Sequence, residues 1–124
     1  MVDIMKVEYH EDYYPNGQPY WRCPYVNGVP HGTVKSYYSN GQLEYEVPYV
    51  NGVAHGTGKW YYDNGELRRE SIFIGGRLYG VTKIYNRAGR LVDIKYFWKG
   101  QTISKRKWKA IPRLTKVLTG VTDE

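Results

Sequence analysis

The chain of 124 residues writes one 24-residue sentence four times, with no insertion between copies. The units are YYPNGQPYWRCPYVNGVPHGTVKS (13–36), YYSNGQLEYEVPYVNGVAHGTGKW (37–60), YYDNGELRRESIFIGGRLYGVTKI (61–84) and YNRAGRLVDIKYFWKGQTISKRKW (85–108). Position 1 is always tyrosine (Tyr13, Tyr37, Tyr61, Tyr85), and position 13 is always aromatic (Tyr25, Tyr49, Phe73, Phe97). Glycine holds position 5 (Gly17, Gly41, Gly65, Gly89) and position 16 (Gly28, Gly52, Gly76, Gly100), and lysine holds position 23 (Lys35, Lys59, Lys83, Lys107). Position 20 is Gly32, Gly56 and Gly80, then Ser104 in the fourth and most worn copy. A period this short is one supersecondary unit that cannot bury a face alone, so adjacent copies have to stack.

Each unit reads as a hairpin. Asn16-Gly17, Asn40-Gly41 and Asn64-Gly65 are dipeptides that accept positive φ at both centres of a tight turn, and runs of Tyr, Val, Ile, Thr and Trp flank them. NGVPHG at 27–32 and NGVAHG at 51–56 read as a slightly longer connection into the next hairpin. The pattern predicts strands at 33–38, 42–50, 57–62, 66–74, 81–86 and 90–98, with a further pair at 19–26 and before Tyr13. The fold class expected is an all-β repeat: an antiparallel meander of about four hairpin units forming one elongated, twisted sheet, with a short helical C-terminal cap.

The motifs Tyr37-Tyr38-Ser39-Asn40-Gly41-Gln42-Leu43 and Tyr49-Val50-Asn51-Gly52-Val53-Ala54-His55-Gly56-Thr57-Gly58-Lys59 resemble the MORN repeat family, in the variant form found in bacterial and giant-virus proteins. The resemblance runs from 13 to about 103 and departs in the fourth unit, where the motif becomes Tyr85-Asn86-Arg87-Ala88-Gly89 and His-Gly becomes Ile103-Ser104. It implies a sheet used as a scaffold or docking surface, and it implies no single activity. The organisation expected is a cap strand in 1–12, repeats over 13–103 (the fourth unit overlapping the cap), and a basic, partly helical segment at 104–124.

Composition supports a sheet with wet faces. There are 14 tyrosines but only two phenylalanines and two methionines, and tyrosine suits a half-exposed surface better than a sealed interior. One cysteine excludes an intramolecular disulfide framework. The start MVDIMKVEYHED carries no apolar run of signal-peptide length, and no window approaches a membrane span. A cytoplasmic protein is the expectation. Of the net charge of +6, residues 99–124 hold +5, so the basicity belongs to the tail.

Candidate chemistry is thin. His31 and His55 occupy one register in adjacent units, and Tyr79 takes that place in the third. Equivalent positions lie two strands apart, roughly 10 Å, too far to share a zinc ion at about 2 Å each. A ring packed over the turn is favoured, and His10 has no visible partner. Cys23 shares its column with Val47, Ser71 and Lys95 and reads as a small packing residue. Glu44 and Glu46 read as a solvated strip on one strand face, linked to Arg68. No active site, cofactor or metal site is expected, and an enzyme is the least favoured class.

Lys35, Lys59 and Lys83 should project from one face beside Tyr37, Tyr61 and Tyr85, giving a cation row among aromatics. These six residues are the candidate partner contacts. Lysines of this kind also keep an open sheet soluble. In the tail, Ser104 can cap a helix over 105–110 and Pro112 can open a second. Trp108, Ile111, Leu114 and Leu118 make a helix-spaced apolar stripe that covers the last hairpin, and Lys105, Arg106, Lys107 and Lys109 form a basic patch. The leading expectation is a non-catalytic scaffold that binds a protein through its Tyr/Lys face. The alternatives are an immunity-type blocker of a toxin, which the resemblance admits, and peripheral membrane or phosphoinositide binding through the lysines and tail. Self-association through the terminal edge strands is a further option, and nucleic acid is not an expected partner.

Overall fold

The computed structural model describes residues 6–118. Eleven strands form one open antiparallel sheet: β1 Val7–Tyr13, β2 Pro19–Val26, β3 Val29–Pro30, β4 Gly32–Tyr37, β5 Leu43–Val50, β6 Val53–Ala54, β7 Gly56–Tyr61, β8 Leu67–Ile74, β9 Arg77–Tyr85, β10 Leu91–Trp98 and β11 Gln101–Ile103. Their order is β1-β2-β4-β5-β7-β8-β9-β10-β11, with β3 beside β2 and β6 beside β5. Two short helices follow, α1 Lys105–Ala110 and α2 Arg113–Leu118. The meander is the one the repeat demands. Nine strands abreast at about 4.8 Å span roughly 40 Å, against about 27 Å along an eight-residue strand. The outer parts of the expected segments 1–12 and 104–124, and the side chains of Leu114 and Leu118, lie outside the described residues.

The two turn signals exchange roles. Asn27-Gly28 (φ 50° and 82°) and Asn51-Gly52 (49° and 88°) are the tight turns with positive φ at both centres. The third and fourth units use Gly75-Gly76 and Lys99-Gly100 in the same way. At Asn16, Asn40 and Asn64 only the following glycine is left-handed. There the turn is longer: the Gly41 amide donates to the Tyr38 carbonyl at 3.0 Å and the Tyr38 amide to the Gln42 carbonyl at 2.8 Å. The Asn40 side-chain oxygen accepts the Gln42 amide at 2.9 Å, as Asn16 and Asn64 do for Gln18 and Glu66. These asparagines are chosen for their side chains, not for their φ.

The other half of each asparagine reaches the next unit. The Nδ2 groups of Asn16, Asn40 and Asn64 donate to the carbonyls of Ser39, Asp63 and Arg87 at 3.3, 2.9 and 3.1 Å. Beside them the hydroxyls of Tyr14, Tyr38 and Tyr62 donate to the carbonyls of Tyr37, Tyr61 and Tyr85 at 2.6, 2.6 and 2.8 Å. A second seam joins the tight turns: the amides of Gly52, Gly76 and Gly100 donate to the carbonyls of Pro30, Ala54 and Leu78 at 2.8–2.9 Å. His31 and His55 belong to this seam, each accepting through Nδ1, at 3.2 Å, from the amides of Asn51 and Gly75. In the fourth unit Asn86 and Ala88 replace the tyrosine and asparagine donors, and Asn86 bonds its own turn instead.

One face carries the packing. Register and alternation line up Cys23, Val34, Val47, Gly58, Ser71 and Thr82 across the strands. All six are small and buried, Ser71 completely, with its hydroxyl 2.8 Å from that of Thr82. Aromatic rings fold down over this row: a Cβ on Gly58 would stand 3.0 Å from the Trp60 ring and 3.2 Å from Phe73. With no second layer, small residues let the large ones lie flat.

The fourth unit ends the sheet. Gly32 and Gly56, both at φ +118°, bring the chain back into the sheet after each tight turn. Ser104, at φ −71°, leaves it and caps α1 by accepting the Lys107 amide at 3.1 Å. Trp108 on α1 is then buried against Val81, Tyr96, Trp98, Ile103 and Ile111, with Trp98 and Lys116 over its ring at 6.2 and 4.2 Å. Trp108 and Ile111, the described part of the expected apolar stripe, thus cap the last strands.

Gly56→Ala should test the re-entry. The new Cβ meets Pro48 Cγ at 2.8 Å at a φ that L residues rarely adopt, so a loss of about 1–3 kcal/mol is expected. Urea unfolding reads it, and a variant as stable as the parent would contradict the assignment.

Candidate interaction surface

On the opposite face the lysines do project together, but they do not form a cation row. Cross-strand register places Glu11, Arg22, Lys35, Glu46, Lys59, Glu70 and Lys83 in one transverse line that ends on Ile94. Glu46 lies between Lys35 and Lys59, and Glu70 between Lys59 and Lys83. The line carries a net charge of only +1, and apart from Arg22 beside Lys35 each pair between Glu11 and Lys83 sets unlike charges directly across from each other, which stabilises neighbouring strands. The acids were hidden because they occupy a different column of the repeat and meet the lysines only once the hairpins close.

Tyr37, Tyr61 and Tyr85 are half-buried. Their carbonyls are the seam acceptors, and the Tyr61 hydroxyl donates to Glu46 Oε1 at 2.9 Å. Burial, that hydrogen bond, and the charges of Glu46 and Glu70 push the Tyr61 phenol up to about 12. Glu44 and Glu46 part company, because a bulge between Ser36/Tyr37 and their partners leaves Glu44 as the extra residue. Glu44 accepts from Ser36 on the packed face at 3.4 Å. Arg68 stands over the Tyr62 ring at 5.9 Å rather than joining either glutamate.

The remaining candidates are accounted for by packing. Cys23 is 2 % exposed, and burial pushes its thiol up, away from the reactive thiolate. His10 stacks on Tyr25 with centroids 4.0 Å apart. Among the described residues no group of three His, Cys, Asp or Glu side chains is placed to hold a metal ion, and no helix is long and apolar enough to cross a membrane. Lys105, Arg106, Lys107 and Lys109 are exposed on α1, held to the sheet by Trp108 between them.

A feature of the packed face was not singled out from the sequence. Tyr45, Tyr49, Val53, Trp60 and Phe73 line an open groove of about 430 Å³, floored by Val47 and reaching Gly76. Arg69 lies over Trp60 at 4.6 Å and is anchored through Nε to the Ser71 hydroxyl at 3.0 Å. The invariant aromatic column at Tyr25, Tyr49, Phe73 and Phe97 was its trace in the sequence. It served there as evidence of a repeat rather than of a surface.

The model of the MORN repeat variant matches residues 30–51 and 54–74, about a third of the chain. Those two segments are similar to variant MORN repeats. The matched stretches run from the tight turn of one hairpin to that of the next and so contain both seams. MORN repeats form scaffolds that commonly contact proteins or membranes and are generally non-catalytic. No curated protein and no solved structure matches the chain.

The Tyr61 environment makes a spectroscopic prediction. A raised phenol favours the neutral form in the fold, so its contribution to stability is whole below the ordinary value of 10.0 and is lost as pH rises through about 12. Subtracting the ultraviolet titration of Tyr61→Phe from that of the parent should leave one phenol ionising near pH 12. A difference curve centred near 10 would contradict the Glu46 contact.

Proposed function

We propose that the chain is a non-catalytic docking scaffold for a protein partner, and that the partner's apolar side chains enter the aromatic groove of Tyr45, Tyr49, Val53, Trp60 and Phe73. One observation carries this reading: in a sheet one layer thick, that groove is open to solvent, while the other face is occupied by a nearly neutral charge line and the helical cap. Fixed aromatic rings are efficient contact surfaces because little conformational entropy is lost when they bind. The lysines Lys35, Lys59 and Lys83, each across from at least one glutamate, support the sheet in this account and are not its contacts.

The basic patch of Lys105, Arg106, Lys107 and Lys109 favours a second reading, contact with an anionic membrane surface. Its four cations are exposed on a helix whose other side is anchored by Trp108. Surface cations near anionic lipid contribute about 1 kcal/mol each and are screened by salt.

Affinity capture from the native host with three chains separates the readings: parent, Val53→Asp with Tyr49→Ala, and charge reversal at Lys105, Arg106 and Lys107. The docking account expects a stoichiometric protein that survives high salt, is lost with the groove variant and is kept by the tail variant. Its overturn would be a groove variant that binds normally. Binding to anionic vesicles that disappears on tail reversal, with no protein retained, would install the membrane reading.

A further inference from the structure

An antiparallel sheet that is not closed ends in two edges, and here both are exposed and unlike in charge. At one end lies the outer side of β1, with Glu8, Glu11 and Asp12. At the other lies the Leu91–Lys95 half of β10, because β11 pairs only with Tyr96, Phe97 and Trp98. Val92, Asp93, Ile94, Lys95, Thr102 and Lys105 help line a groove of about 820 Å³ along that edge, two cations against one carboxylate. Val92 is 59 % exposed there, and Val7 and Tyr9 on β1 are 50 % and 56 %. An acidic edge and an edge where Lys95 and Lys105 outweigh Asp93 belong to the same molecule.

We propose that the chain associates head to tail, the β1 strand of one copy adding to the Leu91–Lys95 edge of the next and continuing the sheet. The main-chain directions allow it. On the charge-line face of β2 and β5, Pro24 and Pro48 send their carbonyls to the following strand, meeting the amides of His31 and His55 at 3.0 and 2.9 Å. β10 runs the same way, so Ile94 on that face presents its main-chain groups outward. Its amide is met by its neighbour Asp93, at 2.8 Å, instead of by a strand. β1 runs the opposite way, so Tyr9, on the same face, presents its main-chain groups away from β2.

Among the registers that keep the faces continuous, one satisfies charge, and it pairs Glu8–Asp12 alone, because Val7 would fall across from Tyr96, which Ile103 already occupies. Placing Tyr9 across from Ile94 keeps the faces continuous, sets Glu8 across from Lys95 and His10 across from Asp93. Sliding by two residues one way sets Asp93 against Asp12. Sliding the other way sets it against Glu8, and Lys95 against Lys6. Sliding by one turns the faces over. The Asp93 carboxylate must release the Ile94 amide for the strand to add, which makes it a guard on the edge. The junction also lacks the seam donors, since Asn86 and Ala88 stand where tyrosine and asparagine would reach onward. Association is therefore weaker than between repeats, and reversible.

Sedimentation of the full chain at low salt, from micromolar to high micromolar concentration, tests this. The average mass should climb in steps of 14.5 kDa without stopping at two, because this contact does not close on itself. Glu8→Lys and Lys95→Glu, both on exposed residues, should each weaken association about tenfold or more. An equimolar mixture of the two variants should associate again, since the lysine introduced on β1 of one then meets the glutamate introduced on β10 of the other. A monomer at every concentration would overturn the proposal. So would a closed dimer, indifference to both reversals, or loss in each variant without recovery in the mixture.

Discussion

A tyrosine hydroxyl reaching a main-chain carbonyl 23 residues further on holds this molecule together. Tyr14, Tyr38 and Tyr62 make that bond at 2.6–2.8 Å, and the asparagine two residues later in each unit makes a parallel one. A hairpin alone is marginal in water. The hydroxyl and the amide tie each turn to the next, so the unit's own turn residues supply its connection. The doubled tyrosine follows from this: the first offers the carbonyl, the second donates to the following copy. On the other rim, glycine amides and the imidazoles of His31 and His55 repeat the arrangement.

With both rims fixed, the faces can differ. One carries a row of small residues under flattened aromatics and supplies what core a single layer has. The other sets acid across from base on most of its strands, so that Lys35, Lys59 and Lys83, which would crowd one another in isolation, each have a carboxylate beside them. At the fourth unit the tight turn remains, but the devices that would reach a further unit stop together. The donors become Asn86 and Ala88, the re-entry glycine becomes Ser104, the charge line ends on Ile94, and Trp108 on α1 folds over the last strands. A stack of repeats needs such an end, because its last interface would otherwise stay open.

The fold was legible because its signals are periodic. Strands at 42–50, 66–74 and 90–98 appear as Leu43–Val50, Leu67–Ile74 and Leu91–Trp98, and the Ser104 cap appears where its residue type placed it. Turn geometry was not legible. Asn16-Gly17 and Asn27-Gly28 are the same dipeptide, and only the reach of the Asn16 side chain into the next unit distinguishes them. The lysine column was legible as a column, but Glu46 and Glu70 enter it only through register, which a one-residue bulge resets. Glu44 shows the same limit, since the bulge moved it to the packed face. The groove of Tyr45, Tyr49, Trp60 and Phe73 joins three strands, and no local stretch of sequence spells it.

The claim on which the rest depends is that the second tyrosine of each pair, and not the first, carries the hydroxyl bond between repeats. Urea unfolding of Tyr38→Phe beside Tyr37→Phe measures this directly, because both lose one hydroxyl from the same turn. The account predicts a loss of about 1 kcal/mol or more for Tyr38→Phe, since it strips a donor from a part-buried carbonyl, and little change for Tyr37→Phe. Equal stability of the two variants, or a larger loss at Tyr37, would contradict it.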